Sequence, residues 1–184
     1  MRALVGHLRS ISGGLALLYV GLAILANWLA SRYVVSVPLT GGLVAPAGVF
    51  CIGGILVLRD WFQQLTNLWT SLALVYVAGV VSYLAGTALG WTSLQKVALA
   101  SLAAFTVSET LEAVVFTPLR RQSLTIGVAA SSLIGNAVDS WLFLTLAFGS
   151  TAFFWGQFWG KTEMIAVGVA LTAARRAWAP VRAV

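Results

Sequence analysis

Residues 131–148 read SSLIGNAVDSWLFLTLAF, an apolar run with one acid, Asp139, inside it. A charged carboxylate at the centre of a bilayer costs about 2.5–3.5 kcal/mol on insertion scales. Ser132 and Asn136 precede Asp139 by seven and three residues, so the three share one face of a helix. Gly127, Ser131, Gly135 and Asp139 fall four apart, which sets the acid on a stripe of small residues. Such a stripe lets a neighbouring helix approach closely and belongs inside a bundle rather than against lipid. Upstream, Glu109 and Glu112 repeat the theme within another apolar run.

The whole chain has this character. Of 184 residues 60% are apolar and 9% charged, with a mean hydropathy of +0.94. A soluble domain carries about 25% charged residues. The composition therefore predicts an all-α integral membrane protein, a single transmembrane domain over residues 1–184. At about 20 residues per span, six helices fit, at about 10–30, 43–58, 68–89, 97–116, 124–148 and 162–177. The first run is too long for a signal-peptide core and is expected to be retained. Span 2 carries Pro46 near its start, where a missing N–H does least harm. Span 4 is expected to stop at Pro118. Ser82, Gly86 and Gly90 form a second small-residue stripe on span 3. The aromatic stretch STAFFWGQFW before span 6 is expected to be an interfacial loop or a shallow re-entrant segment.

Basic residues set the orientation. With the N-terminus inside, the cytoplasmic face collects Arg2, Arg9, Arg59, Arg120, Arg121, Arg175, Arg176 and Arg182, leaving Arg32, Lys96 and Lys161 outside. This positive-inside bias predicts that both termini are cytoplasmic. Trp28, Trp61, Trp69, Trp91, Trp155, Trp159 and Trp178 lie at run ends, where indole rings favour the interface. Trp141 is the exception: two positions from Asp139, it points roughly the opposite way. The net charge of +6 is explained by these loops, and no basic exposed domain is left to hold nucleic acid. Cys51 is the only cysteine and His7 the only histidine, so neither an intramolecular disulfide nor a histidine metal cluster can form. No P-loop, GxSxG or HExxH pattern occurs. An aspartyl enzyme would need a second aspartate near Asp139, and Asp60 is misplaced for it. The reading is a non-enzyme without cofactor or metal.

Carboxylates at mid-membrane can accept hydrogen bonds from a substrate or carry coupling protons, or they can pair with Arg120, Lys161 or each other and simply hold helices together. Interhelical polar contacts average about 0.6 kcal/mol, too little to offset three buried acids, which favours a functional role. Phe143, one turn past Asp139, could stack on a planar ligand. Asn27 and Lys161 are further candidates, while Asp60 beside Arg59 reads as a solvated local pair. Spans 4 and 5 also match each other, Glu109-x-x-Glu112-x-x-x-Phe116 on Asn136-x-x-Asp139-x-x-x-Phe143. Because they cross in opposite directions, the match implies an inverted repeat, a frequent setting for transporter sites.

The run from Ala100 to Ser150, followed by Lys161, resembles the VUT family of queuosine-precursor transporters. The resemblance rests on Ser101, Ser108, Glu109, Glu112, Phe116, Arg120, Ser132, Asn136, Asp139, Phe143 and Ala147-Phe148-Gly149, with Asn27 and Asp60 earlier. Glu112 departs from the family pattern, which has Asp there, and Gln63-Gln64 stand where an acid is expected. The resemblance implies six inner-membrane helices and import of a purine-like 7-deazaguanine such as preQ0 or preQ1. The site would lie between spans 4 and 5. It would be lined by Glu109, Glu112, Asn136, Asp139, Ser132, Phe143, Asn27 and Lys161, with Asp60 and Arg120 structural or gating. Two alternatives stay open: a substrate-binding membrane subunit of an ATPase-coupled uptake system, and a non-transport membrane assembly protein. Beyond the substrate, the bilayer is the expected partner, and a homodimer is compatible with the sequence.

Overall fold

In the computed structural model, residues 2–119 and 124–178 are described. They form six helices: α1 Arg2–Arg32, α2 Ile52–Leu65, α3 Leu68–Ala88, α4 Thr92–Leu119, α5 Leu124–Phe148 and α6 Phe154–Trp178. Between α1 and α2 lies an antiparallel hairpin, β1 Val34–Ser36 with β2 Val44–Pro46, in the register Val34 to Pro46 and Ser36 to Val44. Short 3-10 turns at Pro38–Thr40 and Ala47–Cys51 complete this connection.

Helix boundaries follow local chemistry. The Asn67 side chain accepts from the backbone N–H of Thr70 at 2.9 Å and caps the start of α3. Gly90, with φ at +66°, ends it, and the N–H of Trp91 returns to the carbonyl of Gly86 at 2.8 Å. A side chain at Gly90 would strain that left-handed turn. The described α4 runs through Pro118 to Leu119.

Three helices among the described residues are long and apolar enough to cross a membrane: Ile11–Arg32, Trp69–Ala88 and Ala130–Phe148. They correspond to expected spans 1, 3 and 5. α4 is long enough to cross at 28 residues, but Gln95, Lys96, Glu109 and Glu112 interrupt its apolar run. Two expected boundaries move. The stretch assigned to span 2 from Leu43 is first a strand and a 3-10 turn, and its helix begins at Ile52 and continues to Leu65. The aromatic stretch before span 6 is neither loop nor re-entrant hairpin from Phe154 onward, because α6 begins there and carries Gln157 and Lys161 on successive turns. The aromatics stack along its first turns, with Phe154 and Phe158 rings 6.2 Å apart and nearly parallel.

Among these apolar elements, small side chains decide which faces meet, since lipid offers no hydrophobic penalty to drive association. α4 and α5 make the most extensive helix–helix contact. Ala100, Ala104 and Val97 of α4 form one core cluster with Phe143, Leu144 and Ala147 of α5 and Ala30 of α1. A second cluster joins Tyr19, Phe62, Leu74, Val75 and Ala78. α2 meets α6 where Gly53 lies against the backbone carbonyl of Met164. The hairpin packs on the start of α6, with Gly156 against the backbone of Val44. The Glu163 carboxylate there accepts from the N–H of Leu39 at 3.2 Å. Arg32, at the end of α1, lies 5.4 Å from the ring centre of Trp91.

Candidate functional site

The six helices enclose a cavity of about 740 Å³, within the range of small-molecule pockets. Each helix and the turn after β2 contribute to its wall. All eight side chains proposed from sequence as substrate contacts are on it: Asn27, Glu109, Glu112, Ser132, Asn136, Asp139, Phe143 and Lys161. The cavity is bounded by more than spans 4 and 5. α1 supplies Tyr19 and Asn27, α2 supplies Arg59, and α6 supplies Gln157 and Lys161. Arg120 lies outside the described residues, as do the side chains of Asp60 and Phe116.

Relative depths follow from helix geometry. Gly135 of α5 faces the Glu112 side chain so closely that a methyl group there would overlap it. One core cluster likewise puts Phe143 with Ala104, so the two helices run antiparallel. At about 1.5 Å per residue, Asp139 lies roughly 6 Å beyond Gly135, and Glu109 about 4.5 Å beyond Glu112 in the same direction. Glu109 and Asp139 are thus at similar depth on adjacent walls.

Each of these two carboxylates holds a cation from another helix. Arg59 of α2 donates through Nη1 to Glu109 Oε1 at 3.1 Å. Lys161 of α6 donates through Nζ to Asp139 Oδ2. Lys161 is only 7% exposed, and its ammonium also stands 6.0 Å from the centre of the Phe143 ring. Pairing offsets the desolvation that an isolated buried charge would suffer. It does not exhaust the acids, since a carboxylate has about four acceptor positions. Arg59 therefore reaches Glu109 from α2 on the neighbouring wall; the expected local pair with Asp60 rests on a side chain outside the described residues.

Asn136 has a different part. Its side-chain amide donates to the Phe158 carbonyl and to Thr162 Oγ1, each at 3.1 Å. Its oxygen accepts from Ser140 at 3.3 Å. Both amide hydrogens are thereby committed to tying α5 to α6. Ser108, also on the wall, donates to the carbonyl of Phe105 at 3.0 Å, the back-bond expected of a hydroxyl in an apolar helix. Trp141 faces away and is 52% exposed.

Residues 87–174, just under half of the chain, match the model of a protein family described as "Putative vitamin uptake transporter". The match supports the VUT family. It takes in all of α4 and α5 and most of α6, and hence both walls that carry the acids. No curated protein and no solved structure matches the chain. The family match and the apolar helices together point to a multi-pass membrane protein and to a small-molecule uptake transporter.

Two wall residues had escaped sequence reasoning. Arg59 looked like the basic end of a short span, and only the later course of α2, through Leu65, brings it inside the helix. Gln157 was hidden in the supposed loop. Its spacing of four from Lys161 was the available signal, because both then fall on one helical face.

Proposed function

We propose that this protein is an inner-membrane carrier that imports a 7-deazaguanine precursor of queuosine, such as preQ0 or preQ1. The observation that carries the reading is the convergence of all eight sequence-selected side chains on one cavity. The family match over the acid-bearing helices supports uptake of a small molecule, and the resemblance of spans 4 and 5 supplies the deazaguanine. The chemistry suits such a ligand. A guanine-like edge presents adjacent N–H donors, which a carboxylate accepts in bidentate fashion. A flat ring can lie on Phe143, and a cavity of this size takes a bicyclic base with room to turn.

In this reading both termini are cytoplasmic and the hairpin lies on the outer face. Substrate entering from outside reaches the level of Asp139 and Glu109 first and Glu112 next. The expected experiment is uptake of labelled preQ1 by cells that lack their own importer. Expression of this chain should restore precursor accumulation and queuosine in tRNA. A well-expressed protein that restores neither would refute the assigned substrate.

A further inference from the structure

Gln157 carries an unmet demand. Its side chain is 4% exposed and on the cavity wall, and its carboxamide oxygen is buried without a hydrogen-bond partner. A buried acceptor left unpaired is a standing cost that folded proteins rarely accept. Asn136, on the facing helix, shows the ordinary outcome, with oxygen and amide hydrogens all bonded within the protein. Gln157 is held away from such partners by its position. The bonds from Asn136 to Phe158 and Thr162, and from Lys161 to Asp139, fix how α6 lies on α5. Gln157 then stands one turn beyond Lys161, near the level of Phe143, whose cluster also receives Phe154. Asn27 of α1, itself 8% exposed, belongs to the same wall.

Taking the uptake reading above as its basis, we infer that Gln157 is the residue that selects for a lactam edge, an N–H beside a C=O, on a flat ring seated at Phe143. A carboxamide holds one acceptor and two donor hydrogens. It can therefore accept the ring N–H and donate to the ring carbonyl at once, as glutamine does with the mixed edge of adenine in DNA. The carboxylates below cannot make this distinction, because an ionised acid only accepts. The outer part of the cavity thus reads a mixed donor–acceptor edge, and the acids read donors. A ring that approaches with a small turn of the glutamine amide supplies the partner that the oxygen lacks within the protein.

The test uses the full chain purified in detergent, with preQ1, hypoxanthine and 9-methylpurine as probes. The first two carry a lactam edge, and the last has acceptors only. Dissociation constants and ligand-induced melting shifts are measured for the wild type, Gln157→Met and Gln157→Asn. The expected result is binding of preQ1 and hypoxanthine but not 9-methylpurine. Gln157→Met should weaken both by about ten- to a hundredfold, and Gln157→Asn, which keeps the amide but withdraws it, should fall between. The ligand-free melting temperature of Gln157→Met should equal or exceed the wild type's, because the lost amide oxygen bonds nothing in the protein. A markedly lower melting temperature would show a structural amide and overturn the inference. So would unchanged affinity in Gln157→Met, or 9-methylpurine binding the wild type as well as preQ1; both outcomes leave the uptake reading standing. Hypoxanthine binding that depends on Gln157, without preQ1 binding, would support the lactam subsite and remove the assigned precursor. Failure of every probe on the wild type would overturn both.

Discussion

Replacing Lys161 by methionine removes the cation from Asp139 while nearly preserving side-chain volume. Breaking a buried pair from one side costs about 3–5 kcal/mol, because the remaining charge is stranded. The lysine side chain is 9% exposed and that of Asp139 21%. Cavity water can therefore recover part of the loss on the acid side, which places the expected cost near the lower end, about 3 kcal/mol. For a chain of this size each kcal/mol moves the melting temperature by about 2–4 °C, so Lys161→Met should melt roughly 6–12 °C below the wild type. The partner experiment is the double variant Asp139→Asn, Lys161→Met. It strands no charge, and such replacements are often neutral, so it should recover to within about 3 °C of the wild type.

Melting of the purified protein, followed by a thiol-reactive dye on Cys51 or by loss of monodisperse material, gives the comparison. A double variant as unstable as Lys161→Met would refute the reasoning, because stranded charge would not be the cause. Uptake by the recovered double variant then separates two roles. Stability with loss of transport assigns the pair to the substrate path, whereas stability with full transport leaves the pair purely structural.

Two further outcomes follow from the packing. Gly53→Ala should destabilise by about 1–3 kcal/mol, and more than Gly135→Ala, in a melting comparison. The added methyl at Gly53 meets the Met164 backbone, which cannot turn aside, whereas at Gly135 it meets the movable Glu112 side chain. Asn136→Leu should cost about 1 kcal/mol by removing two hydrogen bonds between α5 and α6, while the Thr162 hydroxyl keeps its bond to the Phe158 carbonyl. Trp141→Leu, one helix face away and exposed, should change the melting temperature by less than about 2 °C.

The sequence was most legible where one side chain had to answer to the bilayer. Asp139, Glu109 and Glu112 were visible because acids in apolar runs are expensive, and the fourfold spacing of small residues said which way Asp139 faced. It was least legible where structure depends on contacts distant along the chain. The strand at Val44 is apolar enough to be read as the start of a span, and only pairing with Val34–Ser36 distinguishes it. The start of α6 is rich in aromatic residues that suit an interface and a helix equally. What decides for the helix is its fit to the hairpin, with Gly156 against Val44. Arg59 and Gln157 were missed for this same reason, since each became a wall residue only once its helix boundary moved.

A packing role and a ligand role for the acids are compatible in this geometry. An acid that served substrate alone would be stranded whenever the site was empty, and one that served packing alone would have no reason to border a cavity. Glu109 and Asp139 each take a cation from a helix other than their own, Arg59 on α2 and Lys161 on α6, and each still faces the same space. In the proposed carrier, a ligand donor arriving at Asp139 would share the carboxylate with Lys161 and weaken its hold on α6. The same helix bears Gln157. Ligand recognition at the glutamine and release of the ion pair would then act on one rigid element that also docks the hairpin through Gly156 and Glu163. A carrier must link occupancy of its site to movement of a wall. In the proposed carrier α6 would be the element through which occupancy and movement are joined.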